Sequence, residues 1–283
     1  MALVAGTALL MAAIFLLFKA FAVRRIPLLP AIAVNYLVAC AAGLLVAPPW
    51  SLPELPRLWW PAAGLGVVFI GMFFLTALSA ERAGVAPTTV ASKMSLVLTV
   101  GISVVLYQER PGWAGWVGIV LAIAGVVMST WTRGGSAERI AWLLPAVLFL
   151  GNSLIDLSLS AVQRNLLSPE GEGVFPTLVF AMAGALGLLA TLVLPRRNDL
   201  VRRDVWLGGL VLGLVNYGSL WFLLRTLGRG GFPVSAVFPL VNIGVVLCSA
   251  AGARLIFGER LMRVQVLGIV VSVLAMLLIL SYR

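Results

Sequence analysis

The 283-residue chain has no histidine and only two cysteines, Cys40 and Cys248. Histidine is the commonest metal ligand and general base in proteins, so its absence argues against both kinds of catalytic site. Both cysteines lie within apolar stretches, which indicates neither a disulfide framework nor a metal site. The sequence therefore predicts no metal and no cofactor, and it does not favour an enzyme.

Charge is also scarce. Only 11% of the residues are charged, whereas 61% are hydrophobic, and the mean hydropathy is +1.09. No soluble globular composition matches these values. A membrane-spanning helix needs roughly 20 apolar residues, and the sequence predicts an all-α integral membrane protein with ten transmembrane helices in a lipid bilayer. The ten predicted segments are 2–20, 29–47, 58–80, 85–107, 112–131, 141–163, 174–194, 204–227, 232–257 and 262–281.

The net charge of +10 comes from 20 Lys and Arg against 10 Asp and Glu. Basic residues lie at the ends of the predicted helices, with no contiguous basic arm, so no nucleic-acid partner is expected. We call the membrane face where the chain starts face A and the opposite one face B. Face B receives 13 of the basic residues and face A receives 6. The positive-inside rule then predicts that face B is cytoplasmic and both termini are outside.

The end of the first half of the chain recurs near the end of the second. Phe73–Met128 reappears as Trp221–Met276, and Glu109 corresponds to Glu259 at an offset of 150 residues, with a best offset of 147 further upstream. Five predicted spans in each half are an odd number, so the two halves run in opposite directions through the membrane. Inverted repeats of this kind place a substrate site near the midplane.

This duplication divides the chain into two predicted five-helix repeats, residues 1–131 and 141–283, joined by a linker at 132–140. Arg133-Gly134-Gly135-Ser136 supplies the turn residues and the charge expected of such a linker.

The sixth predicted span carries four polar residues on one face. At about 100° per residue, Asn152, Asp156, Ser160 and Gln163 lie within about 80° of one another. Asp156 is the only carboxylate deep in any predicted span, and a charge at that depth costs roughly 2.5–3.5 kcal/mol on insertion scales. A functional role is favoured over the alternative, which is hydrogen bonding between helices.

The fourth predicted span carries Ser92 within a row of Ser and Thr residues, with Lys93 beside that row. Lys93 lies about two turns into the helix, some 10 Å from Pro87 along the axis. It either extends toward the interface or faces the same cavity as Asp156. In the second case the two charges form a salt bridge or lie a substrate's length apart.

Three further spans carry polar residues whose function the sequence leaves open. Asn242 lies in the ninth span, Asn35 and Tyr36 in the second, and Asn216 in the eighth. Each is equally consistent with a structural hydrogen bond and with a position in the cavity. By contrast, Glu259 lies in the tight loop before the last helix, and we expect it to cap that helix or to pair locally.

The duplicated block of a small-residue helix, a Gly-Glu-Arg loop and a Gly-rich helix spans Ala91–Met128 and Ser235–Met276. With this block, the chain resembles EamA-type members of the drug/metabolite transporter superfamily. Lys93-Met94-Ser95 and Phe238-Pro239-Leu240-Val241-Asn242 are similar to a bacterial subgroup. The resemblance implies ten helices, a central cavity and export or exchange of small metabolites across a bacterial-type cytoplasmic (inner) membrane. It also implies cytoplasmic termini, the opposite of the charge count, and the first copy departs from the motif with Gln108-Glu109-Arg110.

Together these features predict a secondary transporter that moves a small polar metabolite, with an amino-acid-like solute favoured, by alternating access of the two repeats. Lys93 is expected to bind an anionic group and Asp156 an amine or a coupling proton. Hydrogen bonds from the remaining candidate residues would orient this small-molecule substrate; they are Asn35, Tyr36, Ser92, Asn152, Gln163, Asn216 and Asn242. Monomer and homodimer both fit the sequence.

Two other classes of protein remain as alternatives. An intramembrane lipid-acting enzyme would need a nucleophile with a base, or metal ligands. A channel would need a ring of like charges or carbonyl groups. The sequence contains no visible pattern of either kind.

Overall fold

The computed structural model describes residues 2–95, 97–98, 113–129, 138–168, 170–193, 197–229 and 234–281. Over these residues the chain is helical and contains no strand. Two short 3₁₀ helices, Pro49–Ser51 and Arg197–Val201, accompany ten α-helices. The α-helices are α1 (Ala2–Val23), α2 (Leu28–Val46), α3 (Leu55–Arg82), α4 (Val85–Lys93), α5 (Trp113–Ser129), α6 (Glu138–Asn165), α7 (Gly171–Val193), α8 (Arg203–Arg229), α9 (Val234–Phe257) and α10 (Arg263–Ser281).

Within this part of the chain, 7 helices are long and apolar enough to cross a membrane. They are α1, α2, α3 and α6 to α9, while α5 and α10 contain shorter apolar segments. An all-α, multi-pass membrane protein is thereby confirmed. The helix boundaries differ from the predicted ones by a few residues, and α6 begins at Glu138, inside the predicted linker. Residues 130–137 of that region lie outside the described ranges.

The fourth helix differs most from its prediction, which was one continuous span over 85–107. The α-helix ends at Lys93, and the Met94 N–H still donates to the carbonyl of Val90 at 2.9 Å. Two described bonds beyond it have the tighter three-residue spacing. Val97 N–H donates to the carbonyl of Met94 (2.9 Å) and Leu98 N–H to that of Ser95 (3.0 Å). The regular hydrogen-bond ladder is therefore interrupted directly after Lys93. Residues 99–112 lie outside the described part.

Most of the close packing joins the first five helices to the last five. Helix α1 packs on α8 and α9, α2 on α7 and α8, α3 on α6 and α7, α4 on α6 and α9, and α5 on α10. The buried core thus lies between the two halves of the chain. Aromatic rings fill part of it, with the Tyr36 ring 5.3 Å from that of Phe73 and 5.8 Å from that of Phe180.

Small residues allow α2 and α8 to approach closely. A Cβ atom added to Gly209 would lie 2.5 Å from Val34 Cγ1, and one added to Gly213 would lie 2.5 Å from the carbonyl oxygen of Asn35. Lipid chains are as apolar as leucine, so helix association in a bilayer depends on this kind of packing. The Gly209 and Gly213 pair therefore sets the distance between the two helices.

Candidate functional site

Two opposite charges lie in the interior of the helix bundle. Lys93 ends α4 and Asp156 lies in the middle of α6, and both side chains are partly buried. Lys93 Nζ lies 3.7 Å from the sulfur of Met11, near the middle of α1. The ammonium group is therefore not drawn toward a helix end, as the snorkelling alternative required.

Lys93 and Asp156 interact electrostatically, yet they do not form a salt bridge. In the described part of the chain, the ion pairs with a nitrogen–oxygen distance within 4.0 Å are Lys19–Glu259 and Arg202–Asp204. Of the two arrangements that the sequence allowed, the salt bridge is therefore absent.

Asp156 is held by a hydroxyl group of the segment that follows α4. Ser95 Oγ donates to Asp156 Oδ2 at 2.7 Å. Ser153 Oγ lies 3.0 Å from the carbonyl of Ser95 and 2.7 Å from that of Phe149 in its own helix, and its one proton is shared between these two acceptors. The carboxylate is thus tied to the segment that directly follows the interruption of α4. Sequence reasoning missed Ser153, although its position beside Asn152 was visible, because the helical wheel placed it off the polar face.

The interruption of α4 also involves α9. Asn242 Nδ2 donates to the carbonyl of Lys93 at 3.2 Å. A helix that ends inside a bundle leaves carbonyl groups without their usual partners, and in a membrane these must be satisfied by neighbouring protein. Asn242 provides such a partner for the carbonyl of Lys93. Broken helices of this type commonly form the substrate and ion sites of transporters.

Two other predicted site residues lie close in sequence to this centre. The Ser92 side chain is 1% exposed, and its hydroxyl oxygen has no hydrogen-bond partner among the described residues. Asn152 Nδ2 donates to the carbonyl of Leu148 in its own helix at 2.7 Å. This bond of Asn152 therefore does not connect α6 to another helix.

The remaining predicted residues form structural hydrogen bonds. Asn216 Nδ2 donates to Asn35 Oδ1 at 3.2 Å, which connects α8 to α2. The Tyr36 hydroxyl donates to the carbonyl of Phe69 at 3.0 Å. Asn35 and Tyr36 are both 0% exposed. These contacts are hydrogen bonds between helices, one of the two roles that the sequence left open.

A model of the EamA-like transporter family matches residues 1–131. This stretch belongs to the EamA-like transporter family. Over this stretch the resemblance drawn from the sequence is confirmed. The long apolar helices make the chain a multi-pass membrane protein. That family consists of transporters and not of enzymes, in agreement with the prediction.

Two comparisons extend beyond the EamA-like stretch. An uncharacterized protein from Haemophilus influenzae is 26% identical over 215 residues, which cover 75% of this chain and 72% of that protein. A solved crystal structure is similar with a TM-score of 0.64 and 16% sequence identity, over 98% of this chain and 94% of the other. The second comparison shows a shared fold over nearly the whole length.

The chain also buries a carboxylate that the sequence analysis placed outside the spans. Glu172 is 4% exposed because α7 begins at Gly171 and not at the predicted 174. Gln163 Nε2 donates to Glu172 Oε1 at 3.3 Å, so Gln163 contacts this group near the end of α6. Glu172 lies in the first turn of α7, so it is buried at the end of a span, whereas Asp156 lies in the middle of α6.

A second correction concerns Glu259 in the loop after α9. The expectation was that it caps the following helix or pairs locally. The carboxylate instead accepts from the N–H of Val85, at 3.3 and 3.2 Å from its two oxygens, and pairs with Lys19 at 3.1 Å. Glu259 therefore caps α4 in the other half of the chain and does not cap the helix that follows it.

Proposed function

We propose that this EamA-like chain is a secondary transporter that moves a small polar metabolite by alternating access of two inverted repeats. The single observation that carries the proposal is the pair of separated, opposite charges in the bundle interior, Lys93 and Asp156, beside an interrupted helix. We place it in a bacterial-type cytoplasmic (inner) membrane, as a monomer or a homodimer.

The charges support this function because each is costly to bury alone. A salt bridge would satisfy both groups without a ligand, whereas these two are held apart by their own contacts, Met11 for Lys93 and Ser95 for Asp156. A solute with one anionic and one cationic end would provide each of these two side chains with a group of opposite charge. We therefore favour an amino-acid-like zwitterion, with Asp156 binding its amine or a coupling proton.

The inverted arrangement is supported by the direction of two helices. Asn242 of α9 contacts Lys93 of α4, and Glu259, just beyond α9, contacts Val85 at the start of α4. Rising residue numbers in α9 thus match falling numbers in α4, so the two helices run antiparallel. Inverted repeats require this of corresponding helices.

The packing pattern supports the same arrangement. Exchanging the first five helices with the last five converts the packing of α1 on α8 and α9 into that of α6 on α3 and α4, and both occur. The same exchange converts the packing of α2 on α8 into that of α7 on α3. Such a symmetric pattern of helix contacts is expected when a duplicated unit packs against its own inverted copy.

Solute binding and flux test the function. A solute library screened by thermal shift on the purified protein should contain a zwitterion that raises the melting temperature, because a ligand at 100 times its dissociation constant stabilises by about 2.7 kcal/mol. In proteoliposomes, that solute should then show saturable flux that depends on counter-substrate.

The alternative classes give other results in the same vesicles. A channel would not saturate in this way, and a lipid-acting enzyme would change the lipids and produce no flux. Stabilisation by apolar compounds alone, with no zwitterion bound, would contradict the proposed substrate class.

We further propose that both termini lie outside the cytoplasm, from the excess of basic residues on face B. Phosphatase and fluorescent-protein fusions at Arg283 are the measurement. Phosphatase activity without cytoplasmic fluorescence is the expected result. Fluorescence without phosphatase activity would show that the arrangement implied by the family resemblance is correct.

A further inference from the structure

Glu259 connects three helices at face B. Its carboxylate accepts the N–H of Val85 at the start of α4 and pairs with Lys19 near the end of α1. The residue itself comes from the loop after α9, so the contact joins the second half of the chain to the first. The Lys19 and Glu259 side chains are 21% and 13% exposed.

Two glycines make this contact sterically accessible. Gly258 ends α9 with a φ of 64°, in the left-handed region that favours glycine, and there the chain turns back so that the Glu259 N–H bonds the carbonyl of Ala253 at 3.2 Å. Gly84 has a φ of 94°, and a Cβ atom on it would lie 3.2 Å from Glu259 Oε2. The Gly-Glu part of the repeated motif thus directs the carboxylate at α4.

The Glu259 carboxylate has two electrostatically favourable partners, the N-terminus of α4 and Lys19. The first N–H groups of a helix have no partner within the helix, and its N-terminus carries a partial positive charge. A carboxylate there gains both a charge-assisted hydrogen bond and a favourable dipole interaction. The Lys19 ammonium group, on α1, is a second positive partner of the carboxylate.

The depth of this contact relates it to the candidate site. Lys19 lies eight residues beyond Met11 on α1, and Val85 lies eight residues before Lys93 on α4. Each separation is about 12 Å along a helix axis. Met11 and Lys93 contact each other, so α1 and α4 are joined at two matching levels, once at face B and once at the charged site.

We propose that Glu259, with Lys19 and the N-terminus of α4, forms a closure that shuts face B over the Lys93 and Asp156 site and must open when the site faces that side. The inference rests on the proposed transport function for its purpose. The halves of an inverted-repeat transporter move against each other, and a carboxylate from one half bound to two helices of the other resists that motion.

A thiol-labelling experiment tests the closure without any substrate. The reporter is Met11→Cys in a background with Cys40→Ala and Cys248→Ala. A membrane-impermeant thiol reagent is applied to vesicles that expose face B, with orientation established by the terminal fusions. We expect Glu259→Gln to raise the labelling rate about tenfold, because it removes the ion pair and weakens the charge-assisted contact.

Two further variants keep the result interpretable. Lys19→Met should also raise the rate, by a smaller factor, and it decides the matter if Glu259→Gln does not fold. Glu81→Gln changes an exposed carboxylate at the end of α3 and should leave the rate unchanged. The closure would be overturned if the folded Glu259 and Lys19 variants were labelled at the rate of the parent protein. It would also be overturned if Glu81→Gln raised the labelling rate as much as Glu259→Gln.

The double exchange Lys19→Glu with Glu259→Lys separates the two contacts of the carboxylate. It keeps an opposite-charge pair but places an ammonium group at the N-terminus of α4, where a cation is unfavourable. Labelling should therefore remain fast. A return to the parent rate would show that the α4 cap is dispensable and would overturn its part in the closure.

Because labelling needs no transported solute, it distinguishes failure of the closure from failure of the proposed function. If Lys93 and Asp156 proved not to bind a transported solute, the labelling result would be unaffected.

Discussion

Asp156→Asn is expected to reduce transport of the zwitterion about 100-fold or more, since loss of one partner of a buried charge pair costs about 3–5 kcal/mol. Asparagine keeps the size of the side chain and its hydrogen bond to Ser95 but cannot balance the amine of the solute. Lys93→Met should have an effect of similar size, because methionine keeps the aliphatic stem and loses the cation. Initial rates of uptake in proteoliposomes measure both.

Matched substitutions at the surface provide the controls. Glu170 and Arg57 are exposed, and Glu170→Gln and Arg57→Met remove the same charges where water already solvates them. Both controls should transport at the parent rate. Full transport by a folded Asp156 or Lys93 variant, at normal expression, would mean that these residues only pack the bundle.

Gly213→Ala is expected to lower the free energy of unfolding by about 1–3 kcal/mol, the usual cost of overpacking a close contact. The added methyl group would lie 2.5 Å from the backbone oxygen of Asn35, and a backbone atom cannot rotate away as a side chain can. The helices α2 and α8 must then separate. The melting temperature of the purified protein in detergent or lipid measures this loss.

Gly71→Ala is the control for this substitution. Gly71 is helical, and a Cβ atom on it meets nothing within 4 Å. Alanine favours a helix over glycine by about 1 kcal/mol, so this variant should be as stable as the parent or slightly more so. Equal melting temperatures for the Gly213 and Gly71 variants would contradict the view that the α2–α8 distance depends on glycine.

The membrane class and the helices were predictable because a bilayer imposes one simple requirement. A spanning segment must be apolar over about 20 residues, and it satisfies its own backbone as a helix. The same cost of burying charge identified Lys93 and Asp156 before any fold was known. Sequence predicted these features since each depends on a local stretch of chain and on its solvent.

Boundaries were less predictable because hydropathy changes gradually at the ends of a span. Helix α7 begins three residues before its predicted start. Glu172 is therefore a buried helical residue and not the loop residue that was expected. The interruption of α4 after Lys93 also has no hydropathy signal. The freed carbonyl group of Lys93 is satisfied by Asn242, which is distant in the chain.

The sequence by itself determined that this chain is an all-α membrane protein with Lys93 and Asp156 inside predicted spans and with a Glu-Arg pair that recurs at Glu109 and Glu259. Only the tertiary structure decided which groups meet: Glu259 with α4 and Lys19, Asn216 with Asn35, Gln163 with Glu172. The physical reason is that lipid is as apolar as the helix surfaces, so hydrophobicity does not specify partners. Close packing and hydrogen bonds between distant segments specify them, and these depend on how each helix is rotated and at what depth it lies.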